Sequence, residues 1–594
     1  MRNNFLGNMV GRHIWAVFAA VLLNLVAIDS ASSNSPADAS SPLGINLNGV
    51  SYYTAEQPFL NIFKTTGVSR ASPEGWVTGS PNVYNTHEEA YLRLDANGYA
   101  TTLTASPADP HKPQLFDHIS VLLLAGLAGS NGGSGPRYRA GKYIVLYDGQ
   151  GTLVYTDDAK LVSSRPGRDV IKVTHPTDGI GVNITATDPH HTGDYIRNIR
   201  VVYAPYERRL DRGQIFRPGF VASLRHFRVL RFMDWLSTNN SVLKNWADRP
   251  HVTDTAYGTA LGVPLEICID LSNTVDADPW VNAPIQATDD YLIRMATLVH
   301  ETLRPDLDVY VELSNEVWNT LFQQSRYAAS QGEALWPGKA TSDYRYSIDW
   351  YGMRTAQMCD IWKFVWGSDR ARVHCVLGAQ DANSWTATEA LDCPLWTGAG
   401  KGPCYKHNIT DVAIAPYFGF QAPTTWSSES LPTQLKNLFT ELNHGGLIPG
   451  DYPGGYLKQL ADREAAYSKV LAPYGLPLIS YEGGQSFVAF PTYPNGSWAQ
   501  KLYIAANRDP RMATAYRTAL SDWKAGGGEL YMQFVDVSTP GQYGEWGALD
   551  SYLDTISPLT SAPAKWQALQ NFIASDPCWW PHCQRLSNAG KKPR

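Results

Sequence analysis

Short apolar runs alternate with helix-like segments through most of the chain, and several of these runs end in polar or acidic side chains. The clearest run, VYVEL at 309–313, is rich in β-branched and aromatic residues, as expected of a strand buried on both faces, and Asn315 and Glu316 follow it. A second run, LPLISY at 476–481, leads directly into Glu482. Runs of this kind begin at Gly44, Phe227, Pro264, Asp308, Ala371, Asp411, Leu476 and Gly528. Eight such alternations predict an α/β fold, a parallel (β/α)8 TIM barrel, rather than a doubly wound sheet.

The pattern changes between residues 72 and 204. Here short alternating runs are separated by Asp-Gly, Asn-Gly and Gly-Gly turns, which is typical of an antiparallel β-sandwich. We therefore predict an inserted antiparallel β-sandwich domain at 72–204. It would divide the first barrel strand and helix (44–71) from the remainder of the barrel (205–577). The domain could bind carbohydrate or be a purely structural cap, and the sequence favours neither.

The N-terminus has the pattern of an export signal. Arg2 and Arg12 precede an apolar run from Ile14 to Ile28 of about 15 residues, short for a membrane span, and small residues follow. We predict a signal peptide at 1–31 and a Ser/Pro-rich linker at 32–43, with a retained membrane anchor as the alternative. The mature protein would be secreted, extracellular or periplasmic, with no membrane association.

Seven cysteines fit an oxidising compartment. Local spacing predicts a free Cys268 inside an apolar strand and three bridges: Cys359 to Cys375, Cys393 to Cys404, and Cys578 to Cys583. The last bridge would form a turn at the start of the segment 578–594, which ends in a basic tail. Zinc at Cys578, His582 and Cys583 is the alternative, but no second pair has ligand spacing, so no metal or cofactor is predicted. Acceptor sequences for N-glycosylation begin at Asn183, Asn239, Asn408 and Asn495.

Charge and aromatic content narrow the choice of ligand. The net charge of −6, with no basic run before the tail, argues against nucleic acid as a partner. Aromatic residues make up 12% of the chain and include 19 Trp and 32 Tyr. Because the flat faces of sugar rings stack on aromatic rings, this excess favours a carbohydrate ligand, although a large barrel core would also take up many of them.

Two strand-end glutamates carry a family resemblance. Asn315-Glu316 after the fourth strand and Glu482 after the seventh resemble the acid/base and nucleophile of retaining clan A (β/α)8 glycoside hydrolases. The resemblance implies hydrolysis of a β-linked glycan by double displacement, with Glu316 as acid/base and Glu482 as nucleophile. It also implies that Asn315 binds the sugar 2-hydroxyl and that Tyr417 donates a hydrogen bond to the nucleophile. The chain departs from the common pattern in its large insert and in Val317, where proline is usual.

Other assignments remain open at this stage. Glu316 could merely cap a helix, Glu312 is a competing acid whose place inside a strand suits a buried partner for Arg231, and Asp536 is a fallback nucleophile. Arg231 could orient either Glu482 or Glu312. Four tryptophans just beyond predicted strand ends are candidates for sugar stacking: Trp280, Trp318, Trp385 and Trp546.

The main functional alternative is a non-catalytic secreted carbohydrate-binding protein on a degenerate barrel. A transglycosylase would use every residue named above. A serine esterase is disfavoured because no G-x-S-x-G elbow occurs. The predicted state is a monomer that binds a β-linked glycan.

Overall fold

The computed structural model describes residues 41–104, 114–127, 137–555, 563–581 and 583. Eight parallel strands form one sheet in the order seven, six, five, four, three, two, one, eight. In chain order they are Leu43–Asn46, Val229–Arg231, Asp278–Ala283, Val309–Leu313, Val373–Gly378, Asp411–Ile414, Leu478–Ser480 and Tyr531–Gln533. Backbone hydrogen bonds from Ser480 N to Leu530 O (2.9 Å) and from Glu529 N to Leu478 O (2.8 Å) join strands seven and eight and close the barrel. The predicted parallel barrel is therefore confirmed.

Helices surround the barrel. They span Glu207–Asp211, Pro218–Leu224, Leu265–Val275, Asp289–Thr302, Gln323–Leu335, Asp343–Trp366, Trp385–Asp392, Pro394–Gly398, Leu431–His444, Gly455–Leu471, Trp498–Arg508, Pro510–Ala525 and Ala564–Ser575. The helix predicted after strand three begins as expected, because the Thr288 side chain accepts a hydrogen bond from Tyr291 N (3.2 Å) at its N-cap. The helix expected after strand one is only a short 3-10 turn, Ile62–Thr65.

The third strand was predicted in the wrong place. The apolar run after Pro264 is the helix Leu265–Val275, and its buried residues include 265, 268, 269, 272 and 275, which lie on one helical face. Cys268 is consequently in a helix, although it is free and buried as predicted. The true third strand is Asp278–Ala283, which is fully buried although it includes Asp278 and Asn282.

The insert contains two small antiparallel sheets. One has the strand order Val77–Gly79, His118–Leu123, Ile180–Thr187, Gly151–Asp157; the other has Ala159–Arg165, Arg168–Val173, Gly141–Asp148, Arg197–Tyr203. Alternate residues of both sheets, including Val121, Val182, Val145 and Ile171, belong to one hydrophobic cluster. That cluster also includes Tyr552 from the C-terminal part of the chain, so the insert packs directly against the barrel region.

All three predicted disulfides are present, with Cα–Cα distances of 5.7, 5.7 and 5.4 Å. Cys578 and Cys583 are therefore bonded to each other, and His582 lies outside the described residues. The predicted signal peptide and most of the linker and tail also lie outside them. Within the described ranges, no helix combines the length and apolar character needed to span a bilayer.

Candidate active site

Arg231 lies at the centre of a polar cluster at the carboxyl ends of the barrel strands. It is the last residue of strand two and is completely buried. Its guanidinium donates to Glu482 Oε1 (2.9 Å), Glu312 Oε2 (2.8 Å) and Asn315 Oδ1 (2.9 Å). Burial acts to lower the pKa of Arg231, but the two carboxylates more than compensate and raise it above its usual value. Arg231 therefore remains a fixed positive charge that holds both carboxylates.

Glu482 is held by donors on two sides. Besides the Arg231 contact, its Oε2 accepts a hydrogen bond from the phenol of Tyr417 (2.9 Å). Tyr417 begins a short strand, Tyr417–Phe418, that pairs with Gly484–Gln485 just after Glu482. This pairing brings the phenol to the carboxylate. Two donors, one of them cationic, therefore hold the carboxyl group of Glu482 in one orientation.

Glu316 lies in a different environment. Its Oε1 accepts from the phenol of Tyr481 (3.1 Å) and its Oε2 from Asn319 Nδ2 (2.9 Å). Burial, followed by the negative charge of Glu482, raises the pKa of Glu316 to about 7. Its backbone has φ of 43°, in the left-handed region that non-glycine residues adopt rarely and that is concentrated at functional sites.

Glu312 belongs to the supporting layer beneath these two glutamates. Its Oε2 accepts from Arg231, from Trp280 Nε1 (3.0 Å) and from Asn282 Nδ2 (2.8 Å). Burial raises the pKa of Glu312, while Arg231 opposes that effect. As the sequence suggested, Glu312 is a buried partner for Arg231, completely shielded from solvent.

Asn315 is fixed before any ligand binds. Its Oδ1 accepts from Arg231, its Nδ2 donates to Asn239 Oδ1 (3.2 Å), and its carbonyl accepts from Gln324 Nε2 (2.9 Å). Gln324 also donates to Asn239 Oδ1 (2.8 Å), so the three amides form one network. The side chain of Asn239, the first residue of one N-glycosylation sequence, is therefore part of this hydrogen-bond network.

The structure separates the four candidate tryptophans. Trp280 does not lie beyond a strand end as predicted. It lies within strand three, is fully buried, and stacks on Tyr310 with ring centroids 5.3 Å apart. Trp546 is half-buried, with its ring 5.5 Å from that of Tyr417. Trp318 is half-buried against the main core. Trp385, 38% exposed, begins the helix Trp385–Asp392. Of the four, Trp546 is the one that contacts Tyr417, the residue that donates a hydrogen bond to Glu482.

No protein family model matches this chain, and neither does any curated protein. Solved structures to which the chain is similar include a broad-specificity endoglucanase from Clostridium acetobutylicum, at 12% identity over 60% of this chain and 88% of the other, with a TM-score of 0.31. A β-glucosidase from Thermotoga maritima matches at 10% identity over 62% and 86%, with a TM-score of 0.33. A modular endo-β-1,4-mannanase from Cellulomonas fimi matches at 12% over 57% and 63%, with a TM-score of 0.29.

Similarities this low do not assign the chain to a family or a substrate. We therefore argue the function from the residues of the site itself.

Further carboxyl groups surround the cluster. Burial, and then the charge of Glu482, raise the pKa of Asp234 to about 7. Asp536, the fallback nucleophile, is hydrogen-bonded to Glu56 and accepts from Asn48 N (3.1 Å). Burial raises the pKa of Asp536 to about 7, and burial together with the nearby Asp536 raises that of Glu56 well above its usual value. The contacts of Asp536 with Glu56 and Asn48 are consistent with a structural role for Asp536.

Sequence reasoning missed several polar residues of the site. Tyr481 immediately precedes Glu482, but its apolar context favoured a core role. Asn282 was hidden because strand three was misplaced. Asn46, which accepts from Arg231 at 3.1 Å, ends strand one and could have been found from that position alone. Within the described ranges, no three His, Cys, Asp or Glu side chains are grouped to hold a metal ion.

Proposed function

We propose that this protein is a secreted retaining glycoside hydrolase that cleaves β-glycosidic bonds in a polysaccharide or oligosaccharide. Glu482 is the nucleophile and Glu316 the general acid and base. Asn315 and Trp546 bind the sugar beside them, and Arg231 and Tyr417 orient the nucleophile. The β-specificity and the retention of configuration follow from the family resemblance, and the roles of the two glutamates follow from their environments.

The observation that carries the proposal is the difference between the two glutamates. Glu482 accepts hydrogen bonds from a buried guanidinium and a phenol, which suits a carboxylate that attacks an anomeric carbon. Glu316 contacts only neutral donors, and its pKa of about 7 keeps it protonated at mildly acidic pH, which suits an acid. Acid-assisted glycoside cleavage requires one carboxyl group that gives a proton and a second that attacks, and these two environments suit that division of roles.

The reaction proceeds in two halves. Glu482 attacks the anomeric carbon while Glu316 gives its proton to the departing glycosidic oxygen, leaving a glycosyl ester on Glu482. Esterification removes the negative charge that helps to raise the pKa of Glu316. That pKa then falls, so Glu316 can take a proton from water as the water attacks and releases the sugar. One residue thereby serves as acid and then as base.

Three disulfides support the proposed export, because such bonds persist in oxidising compartments. N-terminal sequencing of protein from the culture medium should find a start near residues 31–35. An intact Met1 would contradict the proposed signal peptide.

The catalytic test combines a substrate panel with variants. Purified protein is incubated with neutral β-glucans, xylans and mannans, and released sugars are measured. Glu482→Gln should lower turnover by several orders of magnitude on every substrate. Glu316→Ala should cripple substrates with poor leaving groups while still releasing the phenol of an aryl β-glycoside, and azide should then yield the β-glycosyl azide.

A matched control is available at the opposite end of the barrel. Burial raises the pKa of Glu529 to about 7 as well, but Glu529 lies just before strand eight, at the amino ends of the strands. Glu529→Gln should leave turnover unchanged. An α-glycosyl azide would refute retention. Glycan binding without turnover of any substrate would favour the non-catalytic alternative.

A further inference from the structure

A groove of about 490 Å³ lies on the insert, outside the polar cluster of the barrel. Its floor is the outward face of one four-stranded sheet, where Ser120 pairs with Asn183 and Leu122 with Gly181. Segment 80–84 forms a wall of the groove, and Thr156 and Asp157 lie at its far side. Gly181 leaves this part of the floor without a side chain, and a Cβ at this position would lie 2.0 Å from Thr156 Oγ1. This volume is within the range of small-molecule and oligosaccharide-sized sites.

The lining has the chemistry that recognises sugar hydroxyls. Ser120, Thr156, Asn183, His118 and Asp157 offer hydroxyl, amide, imidazole and carboxylate groups. An aromatic ring is also present, because Tyr84 lines the groove and is 67% exposed. None of the described lining residues is Lys or Arg. The groove therefore fits a neutral carbohydrate better than an anionic one.

The insert that carries the groove approaches the loop after strand one of the barrel. Burial raises the pKa of Tyr84 in the groove, and Tyr52 of this loop and Asp157 raise it further. In the same loop Tyr53 is 57% exposed, and a Cβ on Gly126 of the insert would lie 3.4 Å from its Cβ. The loop and the insert thus lie against each other at Tyr53 and Gly126.

The same loop begins beside the polar cluster of the barrel. A Cβ on Gly49 would lie 3.8 Å from the Cβ of Asp234, whose pKa is raised by burial and by the charge of Glu482. Two residues lie between Gly49 and Tyr52, so these two residues are at most about 11 Å apart. The loop after strand one therefore connects the polar cluster to the insert that carries the groove.

We propose that this groove is a second glycan-binding site, which holds distant residues of the same neutral β-linked polysaccharide whose cleaved bond lies between Glu316 and Glu482. The proposal rests on the proposed function for the identity of the chain. It assigns the insert a share in substrate binding, with Tyr84 as the stacking ring and Asp157 as the principal acceptor for sugar hydroxyls.

The test separates binding from turnover. In a Glu482→Gln background, affinity gel electrophoresis measures retardation by neutral β-glucan, xylan and mannan, with and without Tyr84→Ala or Asp157→Asn. Each groove substitution should weaken binding to the retarding polysaccharide by about fivefold or more. In otherwise native protein, the same substitutions should lower kcat/KM on that polysaccharide and leave kcat/KM on a small aryl β-glycoside unchanged.

Leu161→Ala is the control, because Leu161 is 52% exposed on the other sheet of the insert. Equal binding by the groove variants and the Leu161 control would overturn the proposal. So would a parallel loss on the aryl glycoside, which would mean that the groove residues act on the barrel site. If glycan binding depends on Tyr84 but no substrate is turned over, the groove stands and the proposed catalytic function fails.

Asn183 adds a second arm to the test, since it lines the groove and begins an N-glycosylation sequence. Protein from a host that does not glycosylate should bind the polysaccharide. Protein carrying a glycan at Asn183, verified by mass, should bind less because the attached sugars occupy the groove. Undiminished binding by the Asn183-glycosylated form would refute the location of the site.

Discussion

Two tyrosine phenols, each hydrogen-bonded to one of the two glutamates, allow the sharpest test of the assigned roles. Tyr417 donates to Glu482 (2.9 Å) and Tyr481 donates to Glu316 (3.1 Å). Tyr417→Phe and Tyr481→Phe each remove a single hydroxyl and preserve the ring. The two substitutions are chemically identical, so any difference between them reports the different tasks of the two carboxyl groups.

The expected magnitudes follow from hydrogen bonds to charged groups, which contribute about 1.5–3 kcal/mol each. If the bond from Tyr417 orients the nucleophile in the transition state, Tyr417→Phe should lower kcat/KM by about 10- to 150-fold. The bond from Tyr481 lowers the pKa of Glu316, so removing it should raise that pKa above about 7. One pKa unit corresponds to about 1.4 kcal/mol, so we expect a rise of roughly one unit.

The direction of the pH effect is fixed by chemistry. Glu316 must be protonated to act as an acid, so activity falls as pH rises through its pKa. In Tyr481→Phe this alkaline limb should move to higher pH, with a smaller loss of activity below it than in Tyr417→Phe. The assay is kcat/KM on the hydrolysed oligosaccharide, whose leaving group needs protonation by Glu316, between pH 4 and 10, with circular dichroism as a check of folding. Equal losses in both variants, or an alkaline limb that moves to lower pH in Tyr481→Phe, would refute the assignment.

Three further predictions concern binding and stability. Trp546→Ala should lower kcat/KM by about threefold to tenfold through loss of a stacking surface beside Tyr417, and unchanged kinetics would remove it from the site. Burial and neighbouring acids raise the pKa of Glu464 to about 9, so its folded carboxyl keeps a proton that the unfolded chain loses. Glu464→Gln should thus stabilise the protein increasingly as pH rises, by up to about 3 kcal/mol at pH 7, and an equal gain at pH 5 and 8 by chemical denaturation would contradict this. Replacing Cys359 and Cys375 by alanine should cost about 3 kcal/mol, given their separation of 16 residues, and an unchanged unfolding midpoint would disprove it.

Local sequence patterns were sufficient for much of this protein. The apolar runs before Glu316 and Glu482 predicted strands four and seven, and parallel strands in a closed barrel bring their carboxyl ends to one rim. The disulfides also followed from local spacing, because short loops bring cysteines together without long-range information. The third strand could not be predicted from local sequence, since a run such as LEICIDL suits a buried strand and a buried helix equally well when only its hydrophobicity is considered.

The different environments of the site residues depend on the tertiary structure. Trp280 and Asn282 come from a fully buried strand, and their side-chain N–H groups are satisfied there because Glu312 accepts a hydrogen bond from each. Arg231 contacts partners from strands one, four and seven, which no sequence separation reveals. The pKa of a carboxyl group depends on burial and on charges from distant parts of the chain. The sequence and its family resemblance could therefore name Glu316 and Glu482 and predict their roles, whereas only the folded arrangement shows the different hydrogen-bond partners of the two carboxyl groups.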